Sequence, residues 1–295
     1  MFWDYIFLIR PTLLVPVWTF FLIGYARGGG EGRFFLSIFA YSLLMGGVYI
    51  LNQIVDRETD RINKKLFLLS EGIIPLKHAW CEMIVLFVAS LTLSFLFPVP
   101  YRIFFFISFI FGILYSAPPA RFKGRPLLDL FSNAFGYGVL NFGIGYLTSG
   151  EFTWKIFLYS LPYFFAVGGV FINTTIPDIP GDREAGEITT GVWLGEKKCL
   201  FLSTIFIFIS LVLSIILKDI LCLIAASVSL PLFLYALLRP SRKSVLISIR
   251  IGAPILTLAV CFLYPLFFPV LLLLYLSMRI YYKKRFNYDY PTLTR

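Results

Sequence analysis

Apolar residues run through this chain in long blocks, separated by short stretches where charge, glycine and proline collect. A block of roughly 20 apolar residues is what an α-helix needs to cross the hydrocarbon core of a bilayer. The pattern predicts crossings over about residues 12–25, 34–54, 78–97, 103–115, 127–147, 154–176, 199–217, 220–238 and 245–264. The first apolar run starts as early as Ile6 and is interrupted by Arg10-Pro11. It has no small-residue cleavage site, so it reads as structure rather than a removable signal. Pro98 and Pro100 close the third block, and Pro265 and Pro269 precede a last apolar run to Tyr282. The expected fold is an all-α, polytopic membrane bundle of about nine helices, with a tenth at the C-terminus if the last run also crosses.

Composition supports the same class. The 295 residues are 59% hydrophobic and 19% aromatic, with only 14% charged, and the mean hydropathy is +0.84. A soluble domain of this size could not hide so much apolar surface. The net charge of +10 would suit nucleic acid, but its placement points to a membrane instead. With the N-terminus in the cytoplasm, the loops after the second, fourth, sixth and eighth blocks hold most of the cations: Arg57, Arg61, Lys64, Lys65, Lys77, Arg121, Lys123, Arg125, Arg183, Lys197, Lys198, Arg239, Arg242 and Lys243. The opposite loops hold only Arg27, Arg33, Arg102, Lys155 and Lys218. That asymmetry orients the protein, with no nucleic-acid partner implied. The cysteines Cys81, Cys199, Cys222 and Cys261 form no CxxC and read as buried free thiols.

Candidate chemistry concentrates where two blocks end. Asn52, Asp56 and Asp60 are four residues apart, a spacing that stacks them on one helix face. Asp178 and Asp182 repeat the spacing at the end of the sixth block. Both sets open on the cytoplasmic side in this orientation. Magnesium binds through one or two carboxylates and completes its shell with water and phosphate. Asn52, Asp56, Asp60, Asp178 and Asp182 are therefore expected to hold two or three Mg²⁺ ions around one diphosphate, neutralising charge as it leaves. Arg57, Arg61 and Lys123 are candidates for its oxygens. Ordinary i,i+4 ion pairs could explain one such cluster, but explain two matched clusters on one side poorly. Asn173 before Asp178 mirrors Asn52 before Asp56 imperfectly, five residues against four. It implies two pseudo-repeated halves around a central cavity.

These motifs make the chain resemble the UbiA superfamily of intramembrane prenyltransferases. NQIVDRETD resembles that family's first NxxxDxxxD motif, and DIPGDREAGEITTGVWLG its second. YSAPPARFKGRP, from Tyr115, is similar to its Tyr-and-Lys loop, and Arg10-Pro11 to the pair at its first helix. The resemblance spans residues 10 to about 264. It implies a nine-helix bundle with a lateral opening to lipid, one prenyltransferase domain over residues 1–295, and Mg²⁺. It also implies transfer of an isoprenyl group from a donor such as geranyl or geranylgeranyl diphosphate to a lipophilic acceptor. Two features depart from the pattern: Gln53 stands where Asp is common, and Lys64-Lys65-Leu66-Phe67-Leu68-Leu69 replaces the usual Arg-Pro run. The last run after Pro265 also exceeds nine helices.

The acceptor stays open between an aromatic quinone precursor, a glyceryl phosphate lipid, a carotenoid end and a tetrapyrrole. A transporter also uses inverted repeats, but its site lies at mid-membrane rather than at helix ends. With 33 Phe and 17 Tyr, most aromatics are packing or lipid-facing. Tyr115 is the best candidate to line an isoprenoid channel. His78 reads as interfacial, Asp129 as a carboxylate suited to a helix N-terminus, and Arg250 as either snorkelling or functional.

Overall fold

The computed structural model describes residues 2–62, 67–184 and 186–290. Lys64 and Lys65 lie outside these described residues. Helices α1 (Phe2–Leu8) and α2 (Leu14–Arg27) form the first apolar run. Between them Arg10 takes a left-handed φ of 56° and Pro11 opens a 3-10 turn over Pro11–Leu13. Then come α3 (Phe34–Val55), two short helices α4 (Arg57–Ile62) and α5 (Phe67–Ser70), α6 (Leu76–Ser94) and α7 (Val99–Ser116). Helix α8 (Leu128–Phe135) continues through a π turn at Gly136–Asn141 into α9 (Phe142–Ser149). Helix α10 (Lys155–Thr175) leads through a 3-10 turn to α11 (Ile179–Glu184) and α12 (Thr190–Leu194). The chain ends with α13 (Glu196–Ile216), α14 (Ile220–Leu238), α15 (Arg242–Leu263) and α16 (Phe267–Phe286).

Eight helical runs among the described residues are long and apolar enough to cross a membrane. The run from α8 to α9, divided by its π turn, is the fifth block expected from the sequence. It lies against α2 and α10 inside the bundle. The last apolar run is the 20-residue α16, about 30 Å long at 1.5 Å per residue. Its final turns meet the start of α1. The Tyr281 hydroxyl donates to Asp4 Oδ1 at 2.6 Å, Arg285 Nε pairs with the same carboxylate at 3.3 Å, and Tyr281 stacks on Phe7 with centroids 3.8 Å apart. Helix α16 therefore runs back antiparallel to α15, towards the side on which α1 begins.

Two kinds of local chemistry hold the helices in place. Small residues let backbones approach: a Cβ on Gly24 would collide with the Phe142 carbonyl, and one on Gly145 with the Phe21 carbonyl. Helices α2 and α9 thus interlock through reciprocal glycines, a packing mode suited to a membrane interior. Buried hydroxyls and amides then bridge helices. Ser37 bonds Tyr101 at 3.0 Å and Thr148 at 2.6 Å. Asp219, 2% exposed, accepts the Tyr163 hydroxyl at 2.8 Å and pairs with Arg27 at 3.1 Å.

The two halves share a packing rule. Helix α3 packs most heavily on α6, the long helix after its acidic loop, and α10 does the same with α13. The cysteines are all free, but only Cys199 and Cys222 are buried. Cys81 is exposed and Cys261 half-buried, because both sit on outward faces of apolar helices. His78 ties the start of α6 to α1, its Nδ1 lying 2.9 Å from the Tyr5 hydroxyl. Arg250 is half-buried on α15.

Candidate active site

A cavity of ≈ 390 Å³ opens beside the end of α3. Helix α3 lays a stripe along its wall: Tyr41, Met45, Tyr49, Asn52 and Asp56 recur every three or four residues and so share one face. From Tyr41 to Asn52 the stripe rises about 16 Å. Helix α7 contributes Tyr115 and Ser116, the following loop Lys123, and α8 with its π turn Asn133, Tyr137 and Asn141. Arg10 reaches the same cavity from the left-handed break between α1 and α2. A non-glycine residue in that conformation is costly.

The mouth is charged and connected. Asn52 Nδ2 donates to Asp56 Oδ2 and to Ser116 Oγ, both at 3.1 Å. Lys123 pairs with Asp56, and its side chain is mostly buried. Arg121 NH2 lies 2.6 Å from Glu187 Oε1 and 3.9 Å from Asp56 Oδ1. One guanidinium nitrogen thus joins the first acidic motif to the loop of the second. Within that loop Glu187 N donates to the Asp182 carbonyl at 2.9 Å, and Thr189 Oγ1 donates to Asp182 Oδ2 at 2.9 Å.

The predicted residues divide by position. Asn52, Asp56, Tyr115 and Lys123 line the cavity together. Asp60 sits one turn beyond Asp56, its backbone N donating to the Asp56 carbonyl at 2.8 Å. Asp182 is half-buried on α11, and Asp178 is exposed at the preceding 3-10 turn. Arg57 turns away, its Nε donating to the Leu69 carbonyl at 3.1 Å, which anchors α5. Arg61 is exposed on α4. Gln53 faces the opposite way from Asn52 and is 2% exposed. Its Nε2 donates to the Leu8 carbonyl at 2.8 Å, a bond that an aspartate could not make. Asn173 is fully buried and donates to Ser248 of α15 at 2.9 Å, so it does not present a ligand as Asn52 does.

Several site residues escaped sequence reasoning. Arg121 and Glu187 are visible only once the two loops meet. Asp129, 1% exposed near the start of α8, accepts Leu130 N at 2.7 Å, Thr190 N at 2.8 Å and the Thr190 hydroxyl. It serves the helix N-terminus as expected, and it also moors the loop that carries Thr189. Deeper in, Tyr49 and Tyr137 bring their hydroxyls within 3.3 Å. Tyr41 donates to Asn141 Oδ1 at 2.6 Å, and the Asn141 amide nitrogen is buried without a partner.

Residues 13–245 match the family model described as the UbiA prenyltransferase family. The chain belongs to that family. UbiA relatives at the sequence level include a chloroplastic 2-acyl-4-prenylphloroglucinol 6-prenyltransferase of Humulus lupulus. It is 29% identical over 195 residues, covering 59% of this chain and 45% of the relative. A lycopene elongase/hydratase of Haloferax volcanii is 30% identical over 175 residues, covering 55% of this chain and 54% of the relative. The chain thus spans about half the length of these curated relatives. A UbiA homolog from Archaeoglobus fulgidus, solved bound to DMAPP and Mg²⁺, superposes with a TM-score of 0.68 at 20% identity. The match covers 87% of this chain and 97% of that one. UbiA membership and eight apolar helices together make this an integral, multi-pass membrane protein.

Proposed function

We propose that the protein transfers an isoprenyl group from its diphosphate to a lipophilic acceptor inside the membrane, with release of diphosphate. The carrying observation is a single cavity with two unlike ends. Its mouth holds Asn52, Asp56, Lys123 and Arg10, and its depth is walled by tyrosines and apolar side chains. A donor with a diphosphate head and an isoprenoid tail has that same polarity. The Archaeoglobus relative binds DMAPP and Mg²⁺, which supports the reading.

Mg²⁺ fits the donor set. Among the described residues no three His, Cys, Asp or Glu side chains converge as a preformed cage. Separate one- and two-carboxylate positions are what an ion that retains water and binds phosphate requires. Asn52, Asp56 and Asp60 would hold it on one side, and Asp178 and Asp182 on the other. Bound there, it supplies electrostatic stabilisation of the leaving diphosphate. Lys123 and Arg121 already lie at Asp56, so both can exchange that carboxylate for diphosphate oxygens. Tyr41, Tyr49, Tyr115 and Tyr137 line the path of the tail, and a ring beside the mouth would stabilise an allylic cation through its quadrupole.

Purified protein with radiolabelled geranylgeranyl diphosphate and a panel of lipophilic acceptors should form labelled product only with a divalent cation. Excess EDTA should abolish turnover, and added Mg²⁺ should restore it. Full turnover in EDTA would remove the proposal.

The acidic motifs face the cytoplasm in this reading, on the strength of the Lys and Arg asymmetry. Glu58→Cys and Glu184→Cys, made in a background with Cys81→Ser, should each react with an impermeant maleimide only from the cytoplasmic face. Labelling from the other face alone would reverse the orientation.

A further inference from the structure

Three residues on one face of α3 grip the break between α1 and α2. Gly46, Tyr49 and Gln53 follow the i, i+3, i+7 spacing that aligns side chains along a helix. Gly46 lets Ile9 pack against the helix, since a Cβ there would lie 2.6 Å from Ile9 Cγ2. The Tyr49 hydroxyl donates to the Leu13 carbonyl at 3.0 Å, and Gln53 Nε2 to the Leu8 carbonyl at 2.8 Å. The grip thus falls on Leu8, Ile9 and Leu13, to both sides of Arg10. Arg10 keeps its left-handed φ of 56° between them, a conformation that persists only where the surrounding structure holds it.

Gln53 is fitted to this task by its donors. No backbone N–H among the described residues donates to the Leu8 carbonyl across the break, and Gln53 supplies one instead. Its Nε2 also donates to the Tyr49 carbonyl at 3.1 Å. Both amide hydrogens are therefore used, and the side chain, which is buried, has a single orientation. Neither Glu nor Met, of similar length, offers such a pair of donors. Beside Gln53 on the same helix, Asn52 and Asp56 line the cavity. One helix thus sets the positions of the acidic motif and of Arg10 together. Arg10 lines the cavity too, and none of the ion pairs among the described residues includes it.

Resting on the prenyl-transfer reading, we propose that Gln53 is a positioning residue for that reaction. With Tyr49 and Gly46 it fixes the break so that the Arg10 guanidinium meets the diphosphate of the donor. Gln53 does not itself line the cavity. It acts through the Leu8 carbonyl, two residues before Arg10. A guanidinium binds phosphate through a planar fork, so its contribution depends on angle as well as distance. A Leu8 carbonyl released from Gln53 would turn towards another donor and carry Arg10 out of register with Asn52 and Asp56. A Gln53 that only satisfied that carbonyl would act on stability. Any effect it had on donor binding would then be the same with or without Arg10.

The test uses the full-length protein in lipid nanodiscs, with Mg²⁺ and geranyl thiodiphosphate, a donor analogue that resists ionisation. Gln53→Met keeps the length of the side chain and removes its donors. It should weaken binding of the analogue about tenfold. Arg10→Ala should weaken binding about tenfold or more. Added to Arg10→Ala, Gln53→Met should change binding by less than about twofold, because the residue it positions is gone. Tyr49→Phe removes the one oxygen that holds the Leu13 carbonyl, and its loss should depend on Arg10 in the same way. Thermal unfolding shows which variants are folded, and Tyr49→Phe decides the question if Gln53→Met is not. Equal losses from Gln53→Met with and without Arg10 would overturn the proposal. So would unchanged binding in folded Gln53→Met or in Arg10→Ala. Failure of the wild-type protein to bind the thiodiphosphate would instead remove the prenyl-transfer reading.

Discussion

Asp56→Asn should lower kcat/KM for the donor by about 10²-fold or more, the scale of losing a charge-stabilising group in a transition state. Asp182→Asn should do the same, and the double variant should be little worse than either single one. The expectation follows from how the two motifs are joined. Arg121 NH2 lies within reach of Asp56 and Glu187 at once, and Glu187 N holds the Asp182 carbonyl. In the proposed reaction both acids serve one diphosphate, so removing either dismantles the same assembly, and such losses do not add. Donor binding should weaken in both, since metal and diphosphate bind together. A double-mutant cycle on kcat/KM with the donor varied measures this directly. Independent, additive losses would mean that the second motif acts elsewhere, as would an Asp182→Asn enzyme close to wild type.

Asp129→Ala should cost both stability and activity, although Asp129 touches no substrate in the proposed reaction. Its carboxylate satisfies Leu130 N, Thr190 N and the Thr190 hydroxyl in a site closed to water. Each buried donor left unpaired costs about 1–3 kcal/mol, so a total near 3 kcal/mol or above is expected. The Thr190 hydroxyl also accepts Leu127 N at 2.7 Å, and Thr189 beside it donates to Asp182. Loosening this clamp should let Asp182 drift, which makes Asp129 a positioning residue. Asp129→Asn, which keeps shape and one acceptor, should recover part of the stability. In that variant the Mg²⁺ concentration for half-maximal rate should rise severalfold. Thermal unfolding in detergent and a Mg²⁺ titration of the rate separate the two effects. An unchanged Mg²⁺ requirement in a folded Asp129→Asn protein would leave Asp129 a purely structural role.

Most of the helices were legible because a bilayer sets their length and lipid tolerates no unpaired backbone. The α14 boundaries coincide with the expected block, and most others lie within a few residues. Three features were not legible from hydropathy. The break at Arg10 depends on a left-handed residue, of which Pro11 is only a hint. The π turn at Gly136–Asn141 leaves the apolar run unbroken in sequence. Nor does the composition of α16, with Arg279, Lys283, Lys284 and Arg285 in one helix, say that it returns to α1. At the site, Asn52 and Asp56 were legible from their shared face, and Tyr115 and Lys123 from their loop. Extending the same three-to-four spacing backwards to Met45 and Tyr41 would have found the cavity wall as well. Arg57 could not be placed in advance, because its partner is the backbone of Leu69. The Arg121–Glu187 and Asp129–Thr190 pairs join residues 66 and 61 positions apart, and no local pattern encodes such a meeting.

The clasp between α16 and the first helix also sets an order of assembly. Asp4 binds Tyr281 and Arg285, 277 and 281 residues further along, a separation that makes this contact among the slowest to form. Synthesis proceeds from the N-terminus at roughly 5–20 residues per second. The groove between α2 and α15 therefore faces lipid for at least on the order of a second while α16 is still being made. During that interval bilayer molecules have access to the space that Leu271, Leu274 and Tyr275 later line. Docking of α16 is expected to follow the packing of α2 against α15, and a hydrocarbon resident in the groove at that moment would come to lie against Leu271, Leu274 and Tyr275.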